Sequence, residues 1–381
     1  MTFMNKGGLL RDNPPVSVII LNYNGLRYLR GRLSDSLRSV LNSNYFDFEV
    51  LFVDNGSSDD SVEFVNREFG KDPRLRIIGL PRNYGYPLGN NIGAMQANKR
   101  SKFLIFLNSD VEVTPSWMIR LVSSMEEDIA VGAAQPKILL WRDRSRINSV
   151  GMLLTPLGRT VGPSGPSTGL YELDKGQYNR KREIFSVLGA AFIVRRDLFF
   201  RVGAFDGDYF LYGEEIDLCW RIWLAGYKVM LCPNSIVYHY EGGTAGSVRR
   251  MTPMRAYYGE RNRLATLIKN YELVNVLKYA PLLIIWSYAT FTVQALRIRS
   301  PLFLVQLTRA YLEVLIGARH IVSKRHFIQG SLRLLSDESL MLGHDIFWGG
   351  KRATRRQSVA RQVRTNWMFA RENVEKTSRG P

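Results

Sequence analysis

The chain has 381 residues, of which 45% are hydrophobic and 23% charged, with a formal net charge of +18 and two cysteines. This composition predicts one large α/β domain with an appendage, or two ordinary domains, and excludes a largely disordered chain. Cys219 and Cys232 exclude a disulfide framework, match no zinc-binding spacing and predict buried thiols in a reducing compartment. The N-terminal stretch MTFMNKGGLLRDNPP has neither a long apolar run nor a small-residue cleavage site, so we expect no secretory signal.

The first hundred residues alternate between buried strands and helices. Four short apolar runs predict strands buried on both faces: VSVIILNYNG (Val16–Gly25), FEVLFVDNGSSDDS (Phe48–Ser61), LRIIGL and KFLIFLN. Three intervening segments have apolar residues at helical spacing: LRYLRGRLSDSLRSVL, SVEFVNREFG and LGNNIGAMQAN. This alternation predicts a mostly parallel sheet with helices on both faces, in which ligands bind beyond the carboxyl ends of the strands.

Polar clusters follow three of these strands, and they are Asn22-Tyr23-Asn24, Asp54-Asn55 and Asn108-Ser109-Asp110. Any one of them is typical of a loop or a helix cap. Because parallel strands end at the same edge of a sheet, the three together favour a nucleotide-type ligand. No G-x-G-x-x-G or G-x-x-x-x-G-K-[ST] sequence occurs, which disfavours a dinucleotide oxidoreductase and a P-loop enzyme.

The middle third, roughly residues 130–245, has a less regular pattern. LTPLGRTVGPSGPSTG predicts a surface loop, and YGEEIDLCWRIWLAG predicts a helix that ends at Gly226. Glu214, Glu215 and Asp217 fall in the first turn of that helix, where carboxylates suit the helix dipole without any further function. The neighbouring aromatic run DYFLY should partly desolvate them, which favours a carboxylate with a raised pKa and a role as proton acceptor.

Six segments in order resemble the inverting family 2 glycosyltransferases, most closely the rhamnosyltransferase-like branch, between about residues 16 and 268. The segments are VSVIILNYNG, VDNGSSDDS, RNYGYPLGNNIG, FLNSDVEV, GAAFIVRRDLFFRVGAFDGDYFLYGEEIDLCWRIWLAGY and HYEGGTAG. The resemblance implies an A-type glycosyltransferase fold, an α/β architecture with a mostly parallel sheet flanked by helices. It also implies a UDP-, dTDP- or GDP-sugar donor, a divalent metal (Mg or Mn) and direct displacement at the anomeric carbon by an acceptor hydroxyl.

The same resemblance assigns donor-binding positions. Tyr23 would pack on the donor base, and Asp54 and Asn55 would contact the nucleoside. Asn83 and Asn91 would line the pocket near the sugar or diphosphate. The remaining expected donor-binding residues are Asn24, Ser109 and Arg249. Arg249 or Arg250, in the basic loop after His239, would clamp the diphosphate or else meet lipid headgroups.

For the metal, Asp110 occupies the ligand position of the family's D-x-D motif. Asn108 stands at the first position of that motif, where a neutral amide coordinates a hard cation less strongly than a carboxylate. His239 falls where many relatives supply a further ligand, although a lone strand-end histidine is otherwise typical of a core. Glu112 is expected to order the turn or a water rather than to touch the ion.

Glu215 matches the general base of the family, with Glu in place of the usual Asp. Its extra methylene changes its reach, so Glu214 or Asp217 could share the task, and Asp217 is expected to position the acceptor or the base. A base that removes the acceptor proton and a metal that neutralises the departing diphosphate make a consistent mechanism.

The last hundred residues are apolar and then basic. YAPLLIIWSYATFTVQAL (Tyr279–Leu296) has no charge over eighteen residues, the lower limit for spanning a bilayer, and PLFLVQLTRAYLEVLIGARHIV is amphipathic. From Arg297 onward, sixteen Lys/Arg stand against six Asp/Glu, a net charge of +10. We predict interfacial helices on an anionic membrane surface, with a short membrane insertion as one alternative and an ordinary packed helical subdomain as another.

The predicted organisation is an N-terminal extension (1–14), a catalytic domain (15–268), a helical membrane-associated region (269–345) and a basic arm (346–381). The leading hypothesis is an inverting, metal-dependent glycosyltransferase at the cytoplasmic membrane face that extends a lipid-linked or cell-surface glycan, with rhamnose as a candidate sugar. One alternative is an inactive sugar-nucleotide binding module. The other is a basic nucleic-acid-binding protein, although no nucleic-acid motif accompanies the charge, so no nucleic-acid partner is expected.

Overall fold

The computed structural model describes residues 13–162, 164, 171–241, 252–344 and 346. Twelve strands lie in the described ranges: β1 (Val16–Asn22), β2 (Phe48–Asp54), β3 (Leu75–Gly79), β4 (Phe103–Asn108), β5 (Val111–Val113), β6 (Val131–Leu140), β7 (Ile147–Ser149), β8 (Leu153–Leu154), β9 (Thr160–Val161), β10 (Arg182–Glu183), β11 (Ala191–Arg195) and β12 (Lys228–His239). The described helices are α1 (Gly25–Leu29), α2 (Gly31–Leu41), α3 (Ser61–Phe69), α4 (Gly85–Gln96), α5 (Trp117–Glu127), α6 (Arg196–Arg201), α7 (Glu214–Leu224), α8 (Pro253–Asn270), α9 (Leu273–Ile298), α10 (Leu302–Ile316), α11 (Ala318–Phe327) and α12 (Asp337–Gly343). A π-helical turn at Ile328–Leu332 follows α11 directly.

One ten-stranded sheet forms the centre of the fold, in the order β10-β12-β6-β11-β4-β1-β2-β3, with β5 paired to β12 and β7 to β6. Its N-terminal half is parallel, as the alternating pattern predicts: β1 pairs with β2 and β4, and β2 pairs with β3. The other half is mixed, because β11 runs antiparallel to both β4 and β6. The middle third, which the sequence pattern described as irregular, therefore supplies β11 and the two longest described strands of the sheet, β6 and β12.

The sheet is buried on both faces. Alternate residues of β1 enter two separate hydrophobic clusters, with Ile19 on one face and Val18 and Ile20 on the other. Helices α1, α2, α3 and α5 cover the second face, and α4, α6, α7 and α8 cover the first. Such burial explains why these strands are continuous apolar runs rather than alternating ones.

The C-terminal third consists of helices, as predicted. The expected domain boundary at residue 268 falls inside α8, which packs against α7 on one side and against α9, α10 and α11 on the other. By length and composition α9 could cross a membrane, and 17% of its most apolar stretch is buried. Its buried residues recur every fourth position, at Leu283, Ser287, Phe291 and Ala295, so one stripe packs on the protein. Partly buried residues such as Tyr279, Ile284 and Tyr288 flank this stripe, and the opposite side of α9 is exposed.

Candidate active site

The three predicted strand-end clusters lie side by side. Asn22 at the end of β1 is the register partner of Asp54 at the end of β2, and the preceding Leu21 is the partner of Asn108 at the end of β4. The Asn22 side-chain amide donates to Asp54 Oδ1 over 2.8 Å, and the backbone amide and hydroxyl of Ser57 donate to the same carboxylate. Asp54 is 4% exposed. Its oxygens are therefore largely engaged in holding the β1 and β2 ends together.

Asn55 and Asn83 hold the turn that precedes α4 in place through hydrogen bonds. The Asn55 amide donates to Asn83 Oδ1 and to the Gly85 carbonyl, while Asn55 Oδ1 accepts from the backbone of Tyr84. Gly85 has φ of +80°, and a Cβ there would lie 2.4 Å from the Phe210 carbonyl oxygen, so only glycine fits. These contacts favour a structural role for Asn55, at the base of the predicted donor pocket.

Asn91 has a different setting from the predicted one. Its amide donates to the Phe205 carbonyl over 2.9 Å and its Oδ1 accepts from the Phe205 amide over 3.1 Å. This two-way contact ties α4 to the loop after α6 and occupies the side chain, which favours a structural role over donor contact. Arg249 and Arg250 lie outside the described residues.

Three further predicted positions have distinct surroundings. Tyr23 is 37% exposed at the β1 end, so its ring is accessible to a ligand. Asn24 is buried with φ of 52°, and its Oδ1 accepts from the Ser58 amide over 2.8 Å. Ser109 is buried, and α5 starts only at Trp117 after Ser116, so neither Ser109 nor Asp110 caps a helix.

Asp110 and His239, 129 positions apart in the chain, meet where β5 pairs with the end of β12. His239 Nε2 lies 3.4 Å from Asp110 Oδ1, and both side chains are largely buried. Burial disfavours the charged imidazolium, but the Asp110 carboxylate outweighs it and raises the pKa of His239. Glu112 instead accepts from Trp141 Nε1 over 2.7 Å and from Arg144 over 2.8 Å, which favours a role in ordering the turn.

This pair fits a divalent cation. Ligands at neighbouring corners of a Mg²⁺ octahedron lie about 3 Å apart, close to the separation observed between the carboxylate oxygen and the imidazole nitrogen. Asn148 Oδ1 lies 2.9 Å from His239 Nδ1, on the opposite side of the ring. Asn148 was not predicted, because nothing in the RINSVG sequence marks it. Within the described ranges no group of three or more His, Cys, Asp or Glu residues could hold a metal, and the predicted ligand Asn108 ends β4 two residues before Asp110.

Glu214 and Glu215 begin α7, after two residues with positive φ at Tyr212 and Gly213. Burial, followed by the charge of Glu215, raises the pKa of Glu214 well above its usual value. Burial raises the pKa of Glu215 from 4.5 to about 7, although hydrogen bonds from its own backbone and that of Gly189 oppose the shift. Glu215 is the less buried of the two, and its pKa suits a base at neutral pH.

Gly189 and Tyr86 adjoin Glu215, and sequence patterns identified neither. The Tyr86 hydroxyl donates to the Gly189 carbonyl over 2.7 Å. A Cβ on Gly189 would lie 3.4 Å from the Tyr86 hydroxyl oxygen and 3.9 Å from the Glu215 carboxyl carbon. Gly189 thus leaves space beside the carboxylate that a larger side chain would fill.

Asp217 has surroundings that favour a structural role. It is fully buried, and its carboxylate pairs with Arg221 Nη2 at 2.7 Å and with Lys269 Nζ at 2.9 Å. Burial opposes its ionisation, but the two cations outweigh that cost and lower the pKa of Asp217. Enclosed in these ion pairs, Asp217 holds α7 to α8, which favours a role in positioning the helix of the proposed base over direct contact with an acceptor.

Comparison with known proteins agrees with this architecture. Residues 17–203 match the family model described as glycosyl transferase family 2. An O-antigen biosynthesis protein of Myxococcus xanthus is 31% identical over 62% of this chain and 18% of its own length. An N-acetylglucosaminyl-diphospho-decaprenol L-rhamnosyltransferase of Mycobacterium tuberculosis is 26% identical over 52% of this chain and 68% of its own length.

A solved structure shares the fold. The crystal structure of GalNAc-T7 with UDP, GalNAc and Mn²⁺ superposes with a TM-score of 0.51 and 19% identity over 68% of this chain and 48% of that one. The chain spans 18% of the length of the Myxococcus relative and 26% of another curated relative, an uncharacterized protein of Sinorhizobium fredii. The predicted A-type glycosyltransferase fold is confirmed, and residues 17–203 form a glycosyltransferase domain of family 2.

Proposed function

We propose that the protein is an inverting, metal-dependent glycosyltransferase that moves a sugar from a UDP-, dTDP- or GDP-sugar to an acceptor hydroxyl. The observation that carries this proposal is the meeting of Asp110 and His239 at the carboxyl edge of the sheet, the edge where such folds bind nucleotides. Tyr23 offers an accessible ring at the same edge for the donor base. Asp110 and His239 would hold the ion, which would neutralise charge on the departing diphosphate.

Glu215 is the proposed general base. Its carboxylate accepts the proton of the acceptor hydroxyl as that oxygen bonds to the anomeric carbon, and the bond from that carbon to the diphosphate oxygen breaks. The electron pair leaves with the nucleoside diphosphate, and configuration inverts because the acceptor oxygen attacks the face of the anomeric carbon opposite that leaving group. A pKa of about 7 allows Glu215 to be ionised at neutral pH and still basic enough to take the proton.

The proposed acceptor is a lipid-linked or cell-surface glycan, reached at the cytoplasmic face of the cell membrane. Support comes from α9 and α10, which expose large apolar side chains including Leu277 (68% exposed), Ile285 (66%) and Ile316 (84%). Basic residues such as Arg297 and Arg299 end α9, where anionic headgroups would attract them. The name of the mycobacterial relative, with its decaprenol-linked acceptor and rhamnose, suggests the acceptor class and one sugar to test.

The stripe of α9 that packs on the protein favours interfacial helices over a spanning helix, because a helix held along its length against α8 and α10 cannot also be surrounded by lipid. Flotation with anionic liposomes tests this placement. A protein that stays with neither anionic nor neutral liposomes would contradict it.

The function is tested by thermal stabilisation with a panel of nucleotide sugars in the presence of Mg²⁺ or Mn²⁺, followed by transfer to a polyprenyl-diphosphate glycan acceptor. We expect one donor class to stabilise the protein and the product to carry the inverted anomeric configuration by NMR. Asn108 favours the alternative, an inactive sugar-nucleotide binding module, because it removes one acid of the usual metal motif. Donor stabilisation without transfer or donor hydrolysis would support that module instead.

A further inference from the structure

Asn148 is the side chain that contacts the far side of His239. It lies in β7, is fully buried, and its Oδ1 is 2.9 Å from His239 Nδ1. The other ring nitrogen, Nε2, faces Asp110 Oδ1 at 3.4 Å. The imidazole is therefore held between an amide on one side and a carboxylate on the other.

The chemistry of the amide determines which nitrogen of the ring carries hydrogen. An amide oxygen can only accept, so contact with Asn148 Oδ1 requires the proton on Nδ1. Nε2 of the neutral ring is then an unprotonated donor atom, and it faces the carboxylate oxygen of Asp110. Two lone pairs facing each other at this distance repel, so the contact needs either a second proton on Nε2 or a divalent cation between the two atoms.

We propose that Asn148 is a positioning residue that fixes His239 in its Nδ1–H tautomer and so directs Nε2, with Asp110, toward a divalent cation. The inference rests on the proposed metal-dependent function. Metal-binding histidines commonly donate their second N–H to an oxygen, which fixes the ring and raises its basicity. The competing arrangement is a reversed amide, with Asn148 Nδ2 donating to Nδ1 and a proton on Nε2 shared with Asp110, and it would exclude the ion.

Histidine NMR separates the two arrangements. The full chain contains four histidines, so selective ¹⁵N labelling gives a small set of signals, and His239→Gln identifies the one of interest. At alkaline pH with Mg²⁺ present we expect the Nδ1–H tautomer in the wild type. Asn148→Asp keeps an acceptor oxygen and should keep this tautomer, whereas Asn148→Leu removes it and should shift the proton to Nε2, toward Asp110.

Mn²⁺ affinity, measured by the EPR signal of the free ion, supplies the second readout. Loss of the Nδ1 partner should weaken Mn²⁺ binding about 10- to 100-fold in Asn148→Leu, and Asn148→Asp should bind at least as tightly as wild type. Asn90→Leu is the matched control, since it also removes a buried amide, one that donates to the Tyr86 carbonyl inside α4, and its affinity should not change.

Two results would overturn the inference: a wild-type His239 with its proton on Nε2 in Mg²⁺, or an Asn148→Leu protein that binds Mn²⁺ as the wild type does. A wild type that shows the Nδ1–H tautomer but binds no Mn²⁺ contradicts the metal dependence in the proposed function. That outcome still supports the orientation of the ring by Asn148, so the two failures are distinguishable.

Discussion

Replacement of Glu215 by Gln tests the proposed base most directly, because it keeps the shape of the side chain and removes the carboxylate. Without a proton acceptor, turnover should fall by about 10²- to 10⁴-fold. Glu214→Gln is the matched control on the same helical turn. Burial and the charge of Glu215 raise the pKa of Glu214 well above its usual value, which disfavours its ionised form as a base, so this variant should lose little activity. Equal losses in the two variants would contradict the assignment.

The pH dependence of kcat/KM is a second test of Glu215 as the base. Glu215 must be ionised to act, and its pKa is about 7, so kcat/KM of the wild type should rise with pH and level off above neutrality. Glu214→Gln should retain that rise. The residual activity of Glu215→Gln should lack it, because Gln does not titrate. A wild-type profile that is flat between pH 5 and 9 would refute the reasoning.

The same residue should limit stability at high pH. Because the folded state raises the pKa of Glu215 from 4.5 to about 7, the folded protein binds this proton more tightly than the unfolded chain does. Stability is therefore lost as pH rises between those values, by about 3 kcal/mol in all. Gln does not ionise, so the Glu215→Gln protein does not lose stability in this way. In urea unfolding, the free energy of unfolding of Glu215→Gln minus that of the wild type should therefore increase by about this amount from acid to alkaline pH. A constant difference would show that burial does not destabilise the ionised carboxylate.

Three further predictions concern other parts of the molecule. Asp110→Asn should weaken Mn²⁺ binding at least about tenfold, measured by EPR, because an amide binds a hard cation less strongly than a carboxylate; unchanged affinity would place the ion elsewhere. Lys269→Met should lower the free energy of unfolding in urea by about 2 kcal/mol, since two buried carboxylates lose their shared cation while Asp217 keeps Arg221 and Asp206 keeps Lys324. A loss under about 1 kcal/mol would show that this network contributes little. The double variant Leu277→Glu and Ile285→Glu should no longer float with anionic liposomes, and its Tm should not fall. The control Phe46→Glu, at a 90% exposed site away from these helices, should float as the wild type does. If both variants float, the exposed face of α9 is not the surface that binds the liposomes.

The strands, the helix at Glu214 and the strand-end clusters could be predicted because each depends on local pattern. A run such as that of β1 is apolar throughout since both faces are covered, and its polar end marks the edge of the sheet. Asn22 and Asp54 could therefore be placed together before their contact was known. The extent of β6 and β12 could not be predicted in the same way. Their sequences contain Pro136 and Pro233-Asn234, and the pairing of β12 with β6 shifts register between Cys232 and Ile236.

Residue roles that depend on long-range partners were the least predictable. Asp217 matches an acid near the base in the family pattern, yet Lys269, 52 positions later, encloses it in an ion pair. Asn148 has no recognisable motif, and it gains its contact with His239 only because β7 folds back on β6 beside β12. Sequence spacing predicts neither the ion pair of Asp217 nor the contact of Asn148, because both arise from the packing of elements that are distant in the chain.

Helix α8 connects the proposed base to the apolar surface. On one side, Asn262 donates to the carbonyls of Leu211 and Tyr212 in the turn before α7, and Lys269 pairs with Asp217 within it. On the other side, buried Glu260 accepts from Ser287 of α9 over 2.8 Å and from Tyr311 of α10 over 3.0 Å. Buried polar contacts of this kind fix relative position more strictly than apolar packing alone, because each lost partner leaves an unpaired group. In the proposed arrangement, with α9 and α10 in a lipid interface, their depth there would set the height of Glu215 above it. That height would in turn decide which hydroxyl of a lipid-linked acceptor the base could reach.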